Sequence, residues 1–161
     1  MDLPEDEPEY VKAMLDGLYK TKYDTVNTVG NMEIDALSFH AHVYAIAEKY
    51  DVQSVKFLAI TYLDQGFDSL FINTYGSNWG FKGTAAKLNA VACAIRDVYS
   101  TTPSSDRGLR DRVLKLMIQA SKNMLIHKSF RDLLDGLTEC EVFGADLARG
   151  LLGFWGDPKS D

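Results

Sequence analysis

Apolar residues recur along this chain at intervals of three and four, the spacing of helix faces. Over 8–20, Val11, Met14, Leu15, Leu18 and Tyr19 fall at i, i+3, i+4, i+7 and i+8, one apolar face. Pro8 suits a first helical turn, where a missing N–H costs little, and Asp6 with Glu9 offers a capping box. The polar stretch DTVNTVGNMEIDA, with Gly30 and Asn31, reads as a loop. A second helix is expected at about 35–50, its buried stripe traced by Ala36, Phe39, Val43, Ile46, Ala47 and Tyr50. Asp51 interrupts, and a third helix begins near Val52 with Val55, Leu58, Ala59, Tyr62 and Leu63 inward, ended by Gly66.

Residues 67–83 keep no sustained period. Aromatic residues alternate there with glycines, as in an ordered connection holding about one turn of helix. Thr84 then caps a helix to Tyr99 that carries Leu88, Val91, Ala92, Ile95 and Val98. After the loop STTPSSD comes the longest helix, about 106–126, with Leu109, Val113, Leu116, Met117, Ala120, Met124 and Leu125 inward. Shorter helices follow at 129–137 (Phe130, Leu133, Leu134, Leu137) and 139–155 (Val142, Phe143, Leu147, Leu151, Leu152). No stretch alternates with a convincing period of two. The expected fold is all-α, an irregular bundle of about seven helices.

Composition narrows the function classes. The chain's 161 residues suit one domain, or one domain with a helical extension, and 46% apolar with 25% charged residues is ordinary for a globular protein. A formal charge of −6 argues against a nucleic-acid surface, which needs clustered Lys and Arg. Cys93 and Cys140 cannot build a disulfide framework and fit reduced thiols. The acidic start MDLPEDEPEY lacks the basic and apolar regions of a signal peptide, and no segment approaches a membrane span. The expected compartment is cytosol or nucleus.

Candidate chemistry is sparse. His40 and His42 stand two apart on one helix, so their rings diverge by about 200° and cannot grip one metal ion. His127 stands alone, and all three read as structural. GSNWGFKGT (76–84) faintly echoes a phosphate loop, but Lys82 precedes Gly83 and no strand leads in. The acidic run Asp2, Glu5, Asp6, Glu7 and Glu9 lacks the glycine and alternation of a calcium loop. Arg107, Arg110 and Arg112 crowd a first helical turn against its dipole, and local pairing with Asp106 and Asp111 is the expected remedy. No catalytic triad, metal site or cofactor site emerges, and the expectation is a non-enzyme.

Two segments carry a resemblance. LPEDEPEYVKAMLDGLYKTKYD, then LSFHAHVYAIAEKYDVQSVKFLA, is similar in order and spacing to the latter half of a fungal BTB/POZ domain. The matching positions are Leu3, Pro4, Pro8, Glu9, Met14, Leu15, Leu18, Tyr19, Val43, Tyr44, Ala47, Lys49, Tyr50, Val55, Lys56, Leu58 and Ala59. VYSTTPSSDRGLRDRVLKLM resembles the helical extension of fungal members. The resemblance implies a division into 1–66, the helical half of a BTB-like domain, a 67–83 aromatic and glycine connection, an 84–155 helical extension, and a 156–161 tail. The family's first half, with its central sheet and usual dimer helices, has no counterpart here, so the expected object is a truncated domain.

In function, the resemblance implies a non-catalytic protein-interaction module, a remnant of a ubiquitin-ligase adaptor. By the resemblance, a cullin scaffold would meet Tyr50 and Lys56, with Asp51 and Val52 shaping the corner between helices. The face Val11, Met14, Leu15 and Leu18 would be orphaned by the missing half and free for association. Two rivals stay open. One is a small self-assembling helical protein with no ubiquitin connection. The other is a small-molecule binder or enzyme walled by Phe67, Phe71, Tyr75, Trp79 and Phe81.

Overall fold

Each periodic stretch of the sequence forms a helix. The computed structural model describes residues 6–29, 32–33, 35–74, 78–81, 85–124 and 128–155, and among these an all-α bundle of seven helices carries the chain. They are α1 (Pro8–Lys20), α2 (Ala36–Lys49), α3 (Gln53–Leu70), α4 (Ala85–Thr101), α5 (Gly108–Met124), α6 (Lys128–Asp135) and α7 (Glu141–Trp155). Two small antiparallel hairpins were not expected: β1 (Thr28–Val29) with β2 (Met32–Glu33), and β3 (Phe71–Thr74) with β4 (Asn78–Phe81). The second occupies much of the region expected as a connection with a helical turn. Its four-residue strands hold only two repeats of a period-two pattern, too few to register.

The core is built around α2, against which α1, α3 and α4 all pack. Contact on three sides explains why Leu37, Ser38, Phe39, His40 and Ala41 are buried in succession, as are Val43, Tyr44, Ile46 and Ala47. The single stripe expected for this helix is too narrow, and Ala36 at its start lies exposed. On α3 the buried positions are Val55, Ala59, Leu63 and Phe67, an unbroken i+4 series. That series carries the helix through Gly66, which does not end it. Gly66 serves instead as a contact point: a Cβ there would lie 2.5 Å from Leu37 Cδ2. The divide expected at residue 66 therefore falls inside α3, and the core continues into Val91, Ile95 and Val98 of α4.

α1 turns a different face inward from the one expected. Tyr10, Ala13, Met14 and Gly17 are buried, while Leu15, Leu18 and Tyr19 are exposed. Small residues decide this. Gly17 sits so close to α3 that an added Cβ would stand 3.2 Å from Val55 Cγ2, an approach that Leu18 in its place would block. The expected capping box also fails to form, because Glu7 is the N-cap and makes no side-chain capping bond. On α7, Phe143 and Leu147 are buried as expected, but Val142 and Leu152 face solvent.

Arg107, just before α5, and the α5 residues Arg110 and Arg112 pair mostly across the fold. Arg107 meets Asp111 at 2.6 Å, the expected local pair, and also Asp146 of α7 at 2.8 Å. Arg112 reaches Asp64 of α3 at 2.6 Å. Arg110 is buried and turns back onto the end of α4, bonding the Tyr99 carbonyl and Thr102 Oγ1 at 3.0 Å and the Thr102 carbonyl.

His40 is buried between Tyr23 and, on α3, Tyr62. Its Nδ1 shares a 2.9 Å hydrogen bond with the Tyr23 hydroxyl, and Tyr62 packs nearby. Burial lowers its pKa from 6.5 to about 4. The unfolded chain therefore takes up this proton first on acidification. The stability His40 supports is complete above pH 6.5 and drains as the pH falls toward about 4. The loss amounts to roughly 3 kcal/mol over that window. Urea unfolding at pH 7 and pH 4.5 checks it: His40→Gln should flatten the acid decline, and an unchanged decline would show that other groups drive it.

Candidate functional site

The corner between α2 and α3 is a tight C-terminal cap. Asp51 takes the left-handed conformation at φ 54°, the Asp51 N–H donates to the Glu48 carbonyl, and the Val52 N–H donates to Ala47 at 2.8 Å. This position usually favours glycine, and Asp51 fills it while its carboxylate accepts from Gln53 at 2.7 Å. Tyr50, half-buried, donates its hydroxyl to Asp6 at 2.7 Å, and Lys49 meets the same carboxylate at 3.0 Å. The Tyr50 bond first, then Lys49, hold Asp6 below the usual carboxylate range.

Lys56 is drawn inward. Its amine pairs with Glu48, lies 3.6 Å from Asp106 and sits 5.0 Å from the centre of the Tyr44 ring. Burial pushes the Lys56 amine down, but Glu48, Tyr44 and Asp106 outweigh it and hold its pKa above the ordinary range. Of the four corner residues chosen from sequence, Tyr50 and Lys56 thus bind within the chain, Val52 is half-buried, and Asp51 is exposed.

The α1 face divides. Met14 is buried and Val11 half-buried, whereas Leu15 is 42% exposed, Leu18 43% and Tyr19 80%. These three lie at i, i+3 and i+4, side by side on the helix. Phe57, on α3, is also exposed.

A cleft that the sequence did not reveal opens between α1, α2 and α4, with a volume of about 680 Å³. From α2 it takes Ser38, His42, Ile46 and Lys49, a single stripe of that helix. α4 adds Cys93, Asp97 and Thr101, and Glu7, Tyr10, Val29 and Asp35 complete much of the wall. The His42 ring stacks on Tyr10, centroids 4.7 Å apart and planes 10° apart, and its Nε2 stands 3.7 Å from Asp97 Oδ2. Burial holds His42 below its ordinary pKa, with Asp97 opposing. Burial likewise raises the Tyr10 hydroxyl to about 12, so it stays neutral.

Ser38, His42 and Asp97 share this cleft without forming a relay. Among the described residues Ser38 Oγ is buried with no hydrogen-bond partner, and no base stands beside it. Their convergence was invisible in the sequence because Asp97 comes from α4, a helix distant in the chain. The two histidines diverge as their spacing requires, His40 toward Tyr23 and His42 toward Tyr10.

Phe67, a candidate pocket wall, is a core residue, while His127, Tyr75 and the Gly-Phe-Lys-Gly part of 76–84 fall wholly or partly outside the described residues. Among the described residues, no cluster of three His, Cys, Asp or Glu is placed to hold a metal ion, and no helix is long and apolar enough to cross a membrane. Cys93 and Cys140 are free thiols, both half-buried. No protein-family model, curated protein or solved structure matches this chain.

Proposed function

We propose that this chain is a non-catalytic protein-interaction module of BTB/POZ type whose contact surface is the open face of α1. The observation that carries this reading is the stripe Leu15, Leu18 and Tyr19, left in solvent while Tyr10, Ala13, Met14 and Gly17 anchor the same helix. A contiguous apolar stripe on a well-anchored helix is the form of a docking surface, unlike scattered single apolar residues. The order helix, loop, helix, tight corner, helix over α1 to α3 is compatible with the resemblance in sequence. A cullin scaffold is the partner class that the resemblance implies, meeting the corner at Tyr50. The same α1 stripe also favours self-assembly unrelated to ubiquitin as a second reading.

Light scattering after size exclusion tests the surface. The reading expects the mass of the purified chain to rise with concentration, and Leu15→Asp/Leu18→Asp to abolish the rise. A cullin N-terminal region added as titrant separates the two forms. Binding weakened about tenfold by Tyr50→Ala would favour the adaptor form, since a buried interface aromatic is worth at least that much. A rising mass without cullin binding would favour self-assembly.

A further inference from the structure

The cleft between α1, α2 and α4 has features that neither the core nor the α1 surface requires. Its wall carries four carboxylates, Asp6, Glu7, Asp35 and Asp97, against one ammonium, Lys49, which pairs with Asp6. Asp35 accepts from the backbone N–H groups of Leu37 and Ser38 at the start of α2. Asp97 has no such engagement among the described residues: its closest partner is His42, at 3.7 Å and beyond hydrogen-bond reach. Burial disfavours the charged form of His42, against the pull of Asp97.

An independent feature points to a ligand. Ser38 is 3% exposed, is one of the residues at the cleft, and among the described residues its Oγ has no hydrogen-bond partner. Buried hydroxyls are normally satisfied, and one left unpaired costs stability that a donor entering the cleft would restore. The stacked Tyr10–His42 pair adds an aromatic wall, and Val29 and Ile46 add apolar surface. Carboxylates beside an aromatic face, within a volume typical of small-molecule sites, are the chemistry that recognises organic ammonium ions.

We propose that this cleft binds a small organic cation, a primary ammonium on a short apolar body, with Asp97 as counter-ion and Ser38 as hydrogen-bond acceptor. The ammonium lies against Asp97 and, once the Ser38 side chain turns its Oγ from the closed position toward the cleft, donates to it, while the apolar body rests on Tyr10 and Ile46. No bond is made or broken. The site is a binding site, separate from the α1 stripe, and its failure leaves the interaction reading untouched.

Phenethylamine is the probe, with 2-phenylethanol as its uncharged isostere, followed by amide chemical shifts in two-dimensional NMR. The amine should shift resonances of Glu7–Tyr10, Ser38–Ile46 and Cys93–Thr101, with a Kd on the order of 1 mM for so small a ligand. Asp97→Asn should weaken binding about tenfold with an unchanged melting temperature, and Ser38→Ala about threefold with a melting temperature no lower than that of the wild type. Asp16→Asn, which removes a carboxylate paired with Lys12 and Lys20 outside the cleft, should leave binding unchanged. Equal shifts from the alcohol, no shifts from the amine at ten times that concentration, or undiminished binding by folded Asp97→Asn would each overturn the proposal. If Asp97→Asn does not fold, the amine-to-alcohol comparison and Ser38→Ala decide the matter.

Discussion

Phe39→Ala should destabilise the chain by about 3–5 kcal/mol, the usual cost of emptying a fully buried aromatic site. Phe39 is 0% exposed and lies where α1 meets α2, its ring centroid 5.3 Å from Tyr10 and 6.3 Å from Tyr23. Removing it takes packing from both tyrosines and leaves a cavity that two anchored helices cannot close. A domain of this kind has about 5–15 kcal/mol in total, so the variant should fold only marginally. The urea midpoint is the direct readout, and a loss below about 1 kcal/mol would mean that α1 collapses onto α2 without Phe39. Tyr10 also walls the cleft, so the same variant should broaden the amide signals around His42.

Arg110→Met should cost roughly 2–4 kcal/mol, although Met fills similar space. The reason lies at the end of α4. The carbonyl of Tyr99 would ordinarily accept from the residue four places on, which is Pro103 and has no N–H. Arg110 supplies the missing donor from α5, and adds bonds to the Thr102 carbonyl and hydroxyl. Its positive charge also sits at the negative end of the α4 dipole and 5.0 Å from the centre of the Tyr99 ring. Arg110→Lys should recover only part of the loss, because an ammonium cannot span three acceptors with a planar fork. Equal stability of Met and wild type in urea unfolding would assign the bonds no net worth.

The helices were readable because their apolar spacing runs over several turns, and Val55, Ala59 and Leu63 illustrate how reliably such a series finds the core. Which face a helix buries was less readable. Leu15 and Leu18 are more apolar than Gly17, yet Gly17 faces inward because closeness to Val55 depends on having no side chain. Hydrophobicity alone carries no term for that approach. Gly66 misled for the same reason, having the appearance of a stop where a close helix contact lies.

The arginines show a further limit. Spacing identifies partners within one turn, such as Arg107 and Asp111, but Arg112 with Asp64 and Arg110 with the end of α4 are tertiary. The cleft was hidden likewise. Ser38 and His42 share a stripe that can be read from their i, i+4 spacing, but Asp97 joins them through the packing of α4 on α2. The corner was half readable: Asp51 marked the break, while the bond from Tyr50 to Asp6 required the fold.

The most direct measurement of the α1 surface is the mass of the purified chain, by light scattering, from low micromolar to several hundred micromolar. The reading predicts a rise from the 18.0 kDa monomer toward twice that value, and a constant 18.0 kDa for Leu15→Asp/Leu18→Asp. A wild-type chain that remains 18.0 kDa throughout, and that also ignores a cullin N-terminal region, would contradict it.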